Sequence, residues 1–91
     1  MIPDDDVICL TVPPDPELES VVVAAVAAVV RRTSLGDAEI KTAREEASKG
    51  FAEVLELGTG DVILTAEGGR RQYHFELRRE GGGPSYQREV G

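Results

Sequence analysis

The segment from residue 40 to residue 55, IKTAREEASKGFAEVL, decides the reading of the fold. Ile40, Ala43, Ala47, Phe51, Val54 and Leu55 recur at spacings of three and four, so one side of a helix carries them all as a buried face. Gly50 falls inside that pattern, where it costs a helix about 1 kcal/mol relative to Ala. Helix propensity did not place it there. Close packing against a neighbour and the loss of an earlier functional side chain are the two readings. Glu46 precedes Gly50 by one helical turn and points to the same side. Asp37 is the expected cap of this helix, and Gly58-Thr59-Gly60-Asp61 ends it and turns the chain.

Working upstream, Val7 to Val12 is a short apolar run stopped by Pro13-Pro14, which remove backbone donors; it reads as a first strand. Asp15-Pro16-Glu17 then opens a helix, with Asp15 as cap and Pro16 where a missing N–H costs nothing. This helix is expected to run to about Arg32. Leu18, Val21, Val22, Ala25, Val26 and Val29 make one face, and Val23, Ala27 and Val30 widen it, so contact on more than one side is expected.

Downstream, Val62 to Ala66 reads as a second strand and Glu67-Gly68-Gly69 as a reversal. Tyr73, Phe75 and Leu77 alternate with Gln72, His74, Glu76 and Arg78, which puts the first set inward on a third strand. Residues 81–91 are Gly-rich and polar without apolar periodicity, so they read as a flexible tail to a single domain spanning 1–80. The expected fold class is α+β: a two-layer β-α-α-β-β unit, two helices packed on one face of a three-stranded sheet.

A chain of 91 residues supports one modest core. Seventeen acids against ten bases give a net charge of −7, which disfavours nucleic acid and anionic membranes and favours a basic protein surface as partner. Cys9 is the only cysteine, so no intramolecular disulfide or cysteine metal cage forms, and a reducing cytoplasm is the expected compartment. The opening Met-Ile-Pro-Asp-Asp-Asp has acids where a signal peptide needs bases. Val21 to Val30, the longest apolar run, is about half the length of a membrane span.

The element order, Leu10-Thr-Val-Pro-Pro-Asp-Pro-Glu-Leu18, the Glu46-Ala47 step and a strand leading into Gly81-x-Gly83 together resemble the anti-sigma factor serine/threonine kinases, over roughly residues 7–83. The resemblance implies part of a histidine-kinase-like ATPase fold. In that family the second helix supplies a Glu, placed as a candidate base, and four residues on an Asn that holds the magnesium bridging the phosphates. Glu46 matches the Glu, whereas Gly50 has no side chain with which to hold a metal. The family strand ends in an Asp that accepts a hydrogen bond from adenine, then a Gly-x-Gly turn; Gly81 and Gly83 fit the turn, but Arg79 replaces the acceptor with a donor. The sequence ends at Gly91, before the lid and second glycine-rich segment of the family, so a wall of the nucleotide pocket is expected to be missing. Relatives often carry an exposed Arg in the first helix just after the position of Val21; here Val22 is apolar.

Each candidate also has a plainer reading. Glu46 reads as a solvated helix carboxylate beside Glu45, and Gly81 to Gly83 as tail, since no helix N-terminus follows to complete a phosphate cradle. His74 is the sole histidine and has no paired ligand for a metal, and Asp4-Asp5-Asp6 lacks calcium-loop spacing. The valine stripe is either core or an interface formed by Val22, Val23, Val26, Val29 and Val30. The expected function is a non-catalytic protein-interaction or regulatory module, related to an anti-sigma factor that has lost ATP and magnesium, and not an enzyme. The resemblance implies a sigma factor or an anti-sigma antagonist as partner, and the stripe a homodimer. The alternatives are a nucleotide-binding serine/threonine kinase whose pocket another chain completes, and a purely structural self-associating domain.

Overall fold

The computed structural model describes residues 6–90. Strand β1 (Asp6–Val12) is followed by a 3-10 turn at Pro16–Leu18, helices α1 (Glu19–Arg31) and α2 (Asp37–Leu57), and strands β2 (Val62–Gly68), β3 (Tyr73–Arg79) and β4 (Tyr86–Val90). The sheet runs β1-β2-β3-β4 with every neighbouring pair antiparallel. Two helices lie between β1 and β2, so three connections separate the strands. An odd number of reversals brings the chain back beside β1 and opposite to it in direction, without a crossover.

The expected cap opens the 3-10 turn that leads into α1: Asp15 Oδ1 accepts from the Glu17 N–H at 2.9 Å, with Pro16 at the first position of that turn. Helix α1 itself begins later, at Glu19, with no side-chain cap of its own. The cap of α2 is a correction. Gly36, not Asp37, holds that place; its N–H donates to Glu39 Oε1 at 3.2 Å, and Asp37 lies in the first turn, where its charge suits the helix dipole. Residues 33–36 link the helices, the Thr33 hydroxyl donating to the Val30 carbonyl at 2.6 Å while accepting from the Leu35 N–H at 3.1 Å.

Phe51, Val54, Ala43 and Ala47 of α2, Val22, Val26, Val29 and Val30 of α1, and Val62, Leu64, Ala66, Tyr73, Phe75 and Leu77 of the sheet form one core. The alternation expected for Tyr73, Phe75 and Leu77 holds, all three being buried. The wide apolar stripe of α1 is consumed inside the molecule, because α1 packs on the sheet with one flank and on α2 with the other. Val22, Val26, Val29 and Val30 are at most 3 % exposed and Val23 is half-buried against the same core. The expected interface on these five valines is corrected accordingly: burying them already satisfies the hydrophobic effect within one chain. Val21 alone among the valines of α1 stays well exposed, at 43 %.

The three-stranded sheet and the flexible tail are likewise corrected. Residues 86–90 form β4, paired with β3 from Tyr73↔Val90 to Leu77↔Tyr86. Tyr86, Arg88 and Val90 alternate toward the helices, and three residues proved enough to dock the strand. Met1 to Asp5 lie outside the described residues, and with them most of the Asp4-Asp5-Asp6 run and the leader reading. No helix among the described residues is long and apolar enough to cross a membrane.

Candidate functional site

Glu46 and Gly50 lie on the flank of α2 that faces β4, and Tyr86 occupies the space between them. Its hydroxyl donates to Glu46 Oε1 at 2.7 Å. Its ring lies so close to Gly50 that a Cβ there would sit 2.4 Å from Tyr86 Cδ1 and under 3 Å from two more ring atoms. On its other side the ring stacks with Phe75, centroids 6.2 Å apart and planes 28° from parallel. Gly50 is thus explained by close packing: only a residue without a side chain admits the tyrosine. Burial and the Glu46 hydrogen bond push the Tyr86 hydroxyl up to about 12, since ionising it would put a second negative charge against the carboxylate.

Arg88 flanks the same carboxylate, with Nε 3.9 Å from Glu46 Oε2, but at 46 % exposure this pair is largely screened by solvent. Deeper in, the Tyr73 hydroxyl is buried with no hydrogen-bond partner among the described residues, and burial pushes its ionisation to higher pH, opposed by Arg88 and assisted by Glu46 and Glu39.

Arg79 has a role that sequence reasoning missed. It is 7 % exposed, and its guanidinium grips the end of α2: Nε donates to the Gly60 carbonyl at 2.8 Å, and Nη1 to the Val54 and Leu55 carbonyls at 2.9 and 3.1 Å. The last turn of α2 carries no basic residue of its own. A cation supplied by β3 therefore satisfies carbonyls left unpaired at the helix end and opposes the negative pole of its dipole. Charge and position in the strand, not the residue pattern of α2, were the available signal.

The turn at Gly81 to Gly83 is a connector rather than an open cradle. Gly81 N–H donates to the Thr59 carbonyl at 2.8 Å and Gly82 N–H to the Arg79 carbonyl at 3.2 Å, so two of its amides are already engaged. Gly83, with φ of 120°, passes within 2.8 Å, measured from an added Cβ, of the Leu57 carbonyl. These contacts carry the chain from β3 across the end of α2 into β4.

The opposite face of the sheet carries Cys9, Thr11, Ile63, Thr65, Glu67, His74, Glu76, Arg78, Gln87 and Glu89, half-buried or exposed and with no layer over it among the described residues. His74 stands in register between Glu67 and Glu89. Among the described residues no cluster of three or more metal-ligating side chains is present.

Glu46 and Gly50 therefore meet Tyr86 on the β4 side of α2, while Arg79, Gly81 and Gly83 pack at the C-terminal end of that helix. The chain matches no protein-family model and none of the curated proteins.

Proposed function

We propose that this chain is a non-catalytic protein-interaction or regulatory module that works without ATP, of the kind an anti-sigma factor would become after losing its nucleotide. The observation that carries the reading is the seat of Tyr86 on Gly50. Where the resemblance would have a metal-holding side chain, there is an aromatic ring, and the nearby carboxylate is spent on a tyrosine hydroxyl. Arg79, in place of an adenine acceptor, is committed to three carbonyls. A group fully used in holding the fold together is a poor ligand for anything else, because each bond to a ligand would cost an existing one.

A net charge of −7 steers such a module toward basic protein surfaces, of which a sigma factor is one class. The test uses the purified chain and a captured partner, recombined with and without magnesium and ATP. A complex of equal affinity in both conditions supports the proposal. A complex that requires the nucleotide supports the alternative, a kinase whose pocket another chain completes.

A further inference from the structure

The two edges of the sheet differ in kind. The β4 edge is five residues long, carries Gln87, Arg88 and Glu89 in its middle, and is reached through Gly81-Gly82-Gly83-Pro84, the features by which proteins discourage edge pairing. The β1 edge is longer and carries a charge only at its first residue, Asp6. It is seven residues of continuous register with β2, from Asp6↔Gly68 to Val12↔Val62, without a bulge, and between Val7 and Val12 it contains no charge and no proline. Val7 is 62 % exposed. Beside it, on the helix side, a groove runs between Val7 and Ile8 of β1 and Ala25, Ala28 and Val29 of α1, apolar except where Arg32 closes one end. A strand edge and an apolar helix flank thus share one side of the molecule.

We propose that this side pairs with a second copy of the chain, β1 against β1, in a two-fold dimer with a continuous eight-stranded sheet. The strand is complementary to itself. An axis through Cys9, the midpoint of β1, is the one that pairs all seven residues of each copy, and it opposes Ile8 to Leu10 of the other copy, Val7 to Thr11 and Cys9 to Cys9. Odd positions meet odd and even meet even, so the side chains facing the helices stay with their own kind and the pleat continues across the axis. No two charges of like sign are opposed, since Asp6 meets Val12. The same axis sets α1 beside its symmetry mate, where Ala25 and Ala28 allow a close approach. This dimer does not depend on the regulatory reading above, and of the five valines first expected at an interface only Val29 lines the groove beside β1.

Sedimentation equilibrium of the full chain tests it. A monomer–dimer equilibrium is expected at micromolar concentration. Cys9 is exposed, so a charge is tolerated there in the monomer. Cys9→Lys and Cys9→Glu are each expected to weaken the dimer about tenfold or more, because like charges then face each other across the axis, and an equimolar mixture of the two is expected to recover it. In the wild type, mild oxidation with diamide is expected to link the copies through Cys9. A chain that stays monomeric over the whole range overturns the proposal and leaves the edge to a different partner. A dimer indifferent to both charges, or one that oxidation does not link, places the interface elsewhere and overturns it equally.

Discussion

The Tyr86 ring rests on the bare Cα of Gly50 while its hydroxyl donates to Glu46 Oε1 at 2.7 Å, so one side chain of β4 occupies two successive turns of α2. The contact joins the last strand to the longest helix. It also turns a residue unfavourable to helices into one the fold requires.

The sign of a substitution at Gly50 should therefore depend on Tyr86. Gly50→Ala adds a methyl within 2.4 Å of the ring, an overpacking cost of about 1–3 kcal/mol against a helix gain of about 1 kcal/mol. A net loss of roughly 1 kcal/mol is expected in urea unfolding. In a Tyr86→Ala background the clash is gone, and the same change should stabilise by up to about 1 kcal/mol. Equal effects in both backgrounds would show that the ring does not sit where described.

Arg79 should behave as a helix clamp. Arg79→Met leaves the carbonyls of Val54, Leu55 and Gly60 without their donor and is expected to cost about 3 kcal/mol, with the loss greatest in amide exchange protection at the end of α2. Arg79→Lys should recover only part, because an ammonium cannot fork across three acceptors. Full stability in Arg79→Met would remove the clamp from the account.

The two tyrosines are the only ones in the chain, so absorbance near 295 nm reads them alone. Both are raised above 10 in the folded protein, Tyr86 to about 12. The folded chain then keeps protons that the unfolded chain releases at about 10. Their contribution to stability is complete below pH 10 and is lost as pH rises from 10 toward 12. Tyr86→Phe should remove an absorbance step near pH 12; a folded protein that titrates both groups near 10 would contradict the burial and the Glu46 bond.

Much of this arrangement is legible in the sequence. The three-and-four spacing of α2, the Asp15-Pro16 start before α1 and the alternation of β3 are local patterns, and each survives in the structure because tertiary packing agrees with it. What the sequence hides is non-local. The valines of α1 read as surplus because nothing in a linear pattern says that α2 covers their second flank. Strand β4 has two inward apolar anchors, Tyr86 and Val90, diluted by polar residues and preceded by three glycines, so its pairing energy is supplied by β3 and α2 and not by its own propensity. For the same reason Gly50 and Arg79 read as losses from a nucleotide site, when their partners stand 36 residues downstream and 19 to 25 residues upstream.

The central claim, that the protein's own side chains fill the place a nucleotide would take, is tested most directly by calorimetric titration of the full chain with ATP and magnesium. No saturable heat is expected up to millimolar nucleotide. Saturable one-to-one binding that Glu46→Gln abolishes would contradict the account.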